Sequence, residues 1–246
     1  MISLLALAFL IGMQHATEAD HLAAVATLAT RQRSLAKTMK QGIAWGIGHT
    51  LTLIVFGGTV LVLGKSIPEH MAQALELAVA VMLIALGIDV LRRLRQKRVH
   101  FHVHAHEDGV QHVHAHSHAH ENAPTGQYRR VHRELMHNHA HHRHLPLRAL
   151  AVGMMHGMAG SAALILLSLE TVNSFSMGLA YILLFGAGSI VGMAVLSLAI
   201  AIPLRISAGS LAWLHTGMTA AVGVFSCGLG AFMFYRIGVT EGLLLR

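Results

Sequence analysis

Apolar residues collect in six runs along the chain: Ile2–Ala29, Gln41–Leu63, Met71–Leu91, Leu147–Leu169, Met177–Ile202 and Leu211–Ile237. A helix needs about 20 such residues to cross a bilayer, so each run predicts a transmembrane span. A polar, His-dense segment from Arg92 to Pro146 separates three spans from three. The pattern predicts an all-α polytopic membrane protein: residues 1–91 as a first three-helix unit, 92–146 as a loop and 147–246 as a second three-helix unit. Glu18 and Asp20 interrupt the first run, and no basic stretch precedes it, so it reads as a span rather than a signal peptide.

The two halves resemble each other. Gly12-Met13-Gln14-His15 matches Gly153-Met154-Met155-His156 at an offset of 141, Gly46-Ile47-Gly48 matches Gly186-Ala187-Gly188 at 140, and Gly87 falls on Gly228 at 141. Three spans per unit is an odd number, so the second unit would enter the membrane upside down. The expectation is a 3+3 inverted repeat, an architecture of transporters with midplane sites.

Composition supports the membrane reading. The chain is 54% hydrophobic and only 12% charged, where a soluble domain carries about 25% charged residues. The formal charge of +7 does not point to nucleic acid, because the basic residues sit in short segments beside the apolar runs. Arg31, Arg33, Lys37 and Lys40 follow the first span, Arg92, Arg93, Arg95, Lys97 and Arg98 the third, and Arg205 the fifth. The positive-inside rule then puts the His-rich loop in the cytoplasm and both termini outside, with the cell inner membrane as the expected location. A single cysteine, Cys227, excludes an intramolecular disulfide framework.

The first span holds His15, Glu18, Asp20 and His21. Ionisable groups at membrane depth are costly and mark functional sites, and imidazole with carboxylate suits a divalent transition metal. At about 100° per residue, His15, Asp20 and His21 do not share a face of a regular helix, whereas His15, Glu18 and His21 form a drifting stripe. Either the helix is broken between Ala16 and Asp20, or the residues divide their labour and Asp20 orients an imidazole from behind. His49, between Gly48 and Thr50 in the second span, and His156, the repeat counterpart of His15, complete the candidate metal set. Methionines 13, 154, 155, 158 and 193 offer sulfur, but methionine in apolar helices is more often packing. Asp89 lies near Arg92 and Arg93, and an ion pair is expected there.

The loop carries 15 of the 21 histidines. His100, His102 and His104 alternate with apolar residues, as do His112, His114 and His116, which is strand periodicity around an Asp108-Gly109 turn signal. A two-residue turn puts the two His rows on opposite faces. A three-residue Glu107-Asp108-Gly109 loop sets His104 opposite His112, His102 opposite His114 and His100 opposite His116. Ordered or not, such a run binds Ni²⁺, Co²⁺, Cu²⁺ or Zn²⁺.

With His15-x4-Asp20-His21 followed by Gly48-His49-Thr50, the chain resembles the nickel/cobalt transporter superfamily, and in particular its short, urease-accessory-like members. The resemblance covers the six spans. It implies a metal-binding signature at His15, Asp20 and His21, with His49 in the following Gly-His motif. Long uptake members usually have Asp at the position of Glu18, and their acidic motif in a later helix is replaced by His156 to Ser161. A His-rich loop is similar to the efflux branch, but that branch typically has Gly before the second His, so Asp20 points toward uptake.

The expected function is carriage of Ni²⁺, with Co²⁺ as a second cargo, by alternating access. The ion is substrate, no cofactor is expected, and the protein is not expected to be an enzyme. Partners are a divalent transition metal and the bilayer, with no nucleic acid; a homo-oligomer and a cytoplasmic metallochaperone stay open. Ligating histidines must be neutral, so transport should fall as pH drops through about 6.5. Rival readings are efflux through the same site, a Zn²⁺ carrier, an intramembrane metalloenzyme with Glu18 as base, and a metal store centred on the loop.

Overall fold

A computed structural model describes residues 2–32, 34–63, 68–96, 99–105, 111–117, 146–158 and 174–244. The chain divides into a helical unit, residues 1–91 with 145–246, and a small His-rich unit, residues 92–144.

The helices of the first unit are α1 (Ile2–His15), α2 (Ala19–Ala29), α3 (Leu35–Leu63), α4 (Glu69–Gln96), α5 (Leu147–Met158), α6 (Phe175–Ser210) and α7 (Ala212–Tyr235), with a π-helical turn at Arg236–Thr240. Among the described residues, α3, α4, α6 and α7 are long and apolar enough to cross a membrane, and α1 and α2 are shorter apolar helices. The protein is therefore an α-helical membrane protein. The first expected span is two helices rather than one. The fourth is described only as α5; residues 159–173 lie outside the described residues. α3 begins at Leu35, ahead of the expected Gln41, because Leu35, Ala36, Lys37 and Met39 are good helix formers.

Small residues set the packing. A Cβ on Gly12 would strike the carbonyl oxygen of Phe185, and one on Gly188 that of Phe9, so α1 and α6 approach backbone to backbone. A Cβ on Gly153 would strike the carbonyl oxygen of Trp45, and one on Gly48 that of Leu150, so α5 and α3 do the same. Such contacts are how helices associate where burial of apolar surface drives nothing. The two sets correspond position by position at the offsets of 141 for α1 with α5 and 140 for α3 with α6. Crossing between the halves, Gly46 meets Ile190 and Gly186 meets Thr50, again a matched pair. The third sequence match does not share this: Gly87 is packed against Cys227, whereas a Cβ on Gly228 would meet nothing within 4 Å.

The main core joins Ala23, Ala24 and Leu28 of α2, Trp45 of α3, Val79, Leu83 and Leu86 of α4, Val152 of α5 and Met193 of α6. Asp89 pairs with Arg31, which follows α2, and lies 3.9 Å from Arg148 in α5. An ion pair was expected with neighbours along its own helix, and these cations come from two other segments. Glu76 lies 3.4 Å from Arg236.

In the His-rich unit, strands β1 (Val99–Ala105) and β2 (Gln111–Ser117) pair antiparallel. The register is His100 with His116, His102 with His114 and His104 with His112. This is the pairing of the three-residue-loop alternative. The turn itself, Glu107 to Gly109, and residues 118–145 lie outside the described residues.

Candidate metal centre

The first membrane segment breaks where its side chains compete for its own backbone. The Thr17 hydroxyl donates to the Gln14 carbonyl at 2.6 Å, and the amides of Thr17 and Glu18 close short i→i+3 turns onto Gln14 and His15. Glu18 is extended, at φ −62° and ψ 150°. Its carbonyl then accepts the Leu22 amide at 2.8 Å, which starts α2, and Asp20 sits in the first turn, where a carboxylate suits the helix dipole. Irregular backbone at membrane depth is tolerated where protein buries it or where it lines a cavity. The broken-helix reading is the one the structure adopts.

The break brings the candidate histidines together. The rings of His15 and His21 are 4.5 Å apart between centroids, His15 and His49 5.2 Å, His21 and His49 5.4 Å, and His21 and His156 4.8 Å. All four are buried. His15 is fixed by Glu18, whose Oε1 accepts from Nδ1 at 2.7 Å. His21 is fixed by Asp20, whose Oδ1 accepts both the His21 amide and its Nδ1, each at 2.9 Å. His156 donates from Nδ1 to the Val152 carbonyl at 3.3 Å. These bonds assign the proton of each ring to Nδ1 and leave Nε2 as the lone-pair nitrogen. In each case Nε2 is buried and has no hydrogen-bond partner, and His49 has neither nitrogen bonded.

Buried imidazole nitrogens without partners are a cost that a cation would remove. Carboxylate or carbonyl behind, lone pair in front, is also how metal-binding histidines are oriented. The ligand atoms of His15, His21 and His49 lie within 4.8 Å of one another, as do those of Asp20, His21 and His156. Two ligands at about 2 Å on opposite sides of an ion are about 4 Å apart, so both groups are near a grip. Glu18 is half exposed and bonded to His15. Met193 belongs to the core and Met154 faces outward.

Two aromatic residues were not singled out from the sequence. Phe185 packs on His15 with centroids 5.4 Å apart, and Trp45 packs on His156 at 5.0 Å and His21 at 6.1 Å. A signal for Trp45 existed: it lies about one helical turn before His49. Phe185 is its counterpart at the 140 offset. Trp45 also lines a crevice with Val25, Leu28, Thr38, Gln41, Gly42 and Ser197.

A helical membrane protein with converging, buried imidazoles and a carboxylate has the ligand types of a transition-metal site at membrane depth. The chain belongs to the high-affinity nickel-transport protein family, whose model matches residues 1–234. It is 34% identical over 244 residues to the urease accessory protein UreH of Bacillus sp. (strain TB-90), covering 99% of this chain and 95% of that one. No solved structure matches. The family is one of transport proteins rather than enzymes, and nickel is cargo rather than cofactor.

Proposed function

We propose that this protein imports Ni²⁺ across the inner membrane through the His15–Asp20–His21–His49 cluster, with His156 completing it and Glu18 holding His15. The observation that carries this reading is the set of inward Nε2 atoms, each buried and unpartnered, gathered at the break between α1 and α2. The matched glycine contacts of α1 on α6 and α5 on α3 support a 3+3 inverted repeat, and so alternating access around a central site. α1 ends at His15, so the negative end of that helix favours a cation there. The basic segments put the His-rich loop in the cytoplasm and both termini outside. The register of β1 and β2 supports metal binding by His100, His102, His104, His112, His114 and His116 in that loop. An accessory role to an enzyme, which the relative's name states, asks for metal to be brought in and favours uptake. Co²⁺ fits the same ligands.

Ion-resolved flux through purified protein in lipid vesicles tests this. Ni²⁺ is expected to cross, Co²⁺ more slowly, and neither with His15→Ala or His21→Ala. Wild-type flux in both variants would remove the cluster from the mechanism. Efflux through the same site is the second reading, which the His-rich hairpin favours; nickel resistance on expression, instead of accumulation at trace nickel, would establish it.

A further inference from the structure

The four histidines and Asp20 do not form one group. Their ligand atoms fall into two, His15 with His21 and His49, and Asp20 with His21 and His156, and these share His21 alone. The first draws on α1, α2 and α3, the second on α2 and α5. His21 has one nitrogen to give: Nδ1 is held by Asp20 Oδ1, which leaves Nε2. One lone pair serves one ion at a time. The second oxygen of Asp20, Oδ2, is turned toward His156 Nε2 at 3.8 Å, so the carboxylate keeps its bond to His21 while presenting a ligand to the other group.

The groups also relate to the repeat. His15 and His156 are counterparts at the offset of 141, on α1 and α5. The environment of each is matched too, since the ring behind His15 is Phe185 and the ring behind His156 is Trp45, themselves counterparts at 140. In an inverted repeat, counterpart positions face opposite sides of the membrane.

We propose that the cargo ion occupies two positions in turn, one formed by His15, His21 and His49 and the other by Asp20, His21 and His156, with His21 as the shared ligand on which it passes from one to the other. The ion never loses all its protein ligands during the transfer, which avoids stranding a bare divalent cation at membrane depth. It exchanges two neutral imidazoles for one imidazole and a carboxylate, so the two positions differ in charge as well as in place. This inference rests on the cluster being the transport site.

Full-length protein, purified in detergent and in vesicles, tests it with Ni²⁺ itself as probe. Equilibrium binding and X-ray absorption give affinity and ligand type, and vesicle flux gives transport. His156→Ala should still bind one Ni²⁺ at the cluster, beyond those held by the His-rich loop, through imidazoles, yet lose at least about tenfold in flux, the scale of a disturbed metal site. His49→Ala should also bind one Ni²⁺, now with a carboxylate in the coordination, and lose flux similarly. The double variant and His21→Ala should lose the Ni²⁺ held by the cluster and keep only what the His-rich loop binds. His156→Gln, closer in volume, repeats the test where the alanine variant unfolds. The proposal is overturned if either single variant loses binding as fully as the double, which would mean one undivided site, or if His156→Ala and His156→Gln transport like wild type. Wild-type flux in His21→Ala would instead overturn the transport-site reading beneath it.

Discussion

The two halves of the helical unit are alike in how they pack and unlike in what they carry. α1 lies on α6 through Gly12 and Gly188, and α5 lies on α3 through Gly153 and Gly48, contact for contact. The chemistry is not matched. The first half supplies His15, Glu18, Asp20, His21 and His49. The second supplies His156, and at the position corresponding to His49 it has Ser189, whose hydroxyl donates to the Gly12 carbonyl at 3.2 Å. Small residues are needed wherever two backbones touch, so both halves have them. Under the proposed function ligands are needed only where the ion rests, so one half would hold most of them while the other served as scaffold.

That comparison is broken most severely by removing the shared ligand. His21→Ala is expected to lower Ni²⁺ flux by more than about 100-fold, beyond what loss of an orienting partner costs, read as uptake at equal membrane expression. Next come the scaffold positions. Gly12→Leu and Gly153→Leu should destabilise to the same extent, each by at least about 2 kcal/mol, because a branched side chain has to displace a carbonyl rather than a flexible neighbour. Thermal unfolding in detergent reads this, and a large effect at one site with none at the other would separate the halves. Glu18→Gln keeps the shape but weakens the bond that orients His15, and is expected to reduce Ni²⁺ affinity about tenfold with unchanged thermal stability. Ser189→Ala removes one hydroxyl from the half that carries fewer ligands and should cost about 1 kcal/mol in stability, leaving nickel affinity unchanged. Deleting Val99 to His144 should change flux least of all, since the cluster lies wholly in the helical unit.

Much of this was legible in the sequence, for identifiable reasons. Membrane-length runs report helices directly, because lipid leaves the backbone no other partner. The conflict between the spacing of His15, Asp20 and His21 and the helical period foretold the break that Thr17 and Glu18 produce. The His ladder register followed from turn chemistry, since Glu107-Asp108-Gly109 suits a bulged connection. The rest required distances. Nothing in a linear pattern tells whether Glu18 is a ligand or a support; its 2.7 Å bond to His15 and its exposure are visible only in the fold. Asp89 was read with Arg92 and Arg93 because they are near in sequence, while Arg31 and Arg148 reach it only through the fold. Trp45 and Phe185 are apolar residues in apolar helices, and only ring geometry sets them beside the histidines.

The most direct test of the central claim is the coordination of Ni²⁺ bound to the purified, full-length protein, read by X-ray absorption. Imidazole nitrogens should dominate the shell, the imidazole signal should fall on His21→Ala, and the part of it that comes from the cluster should persist when Val99 to His144 is deleted. A spectrum unchanged by His21→Ala but abolished by the deletion would put the metal in the His-rich unit and contradict the account.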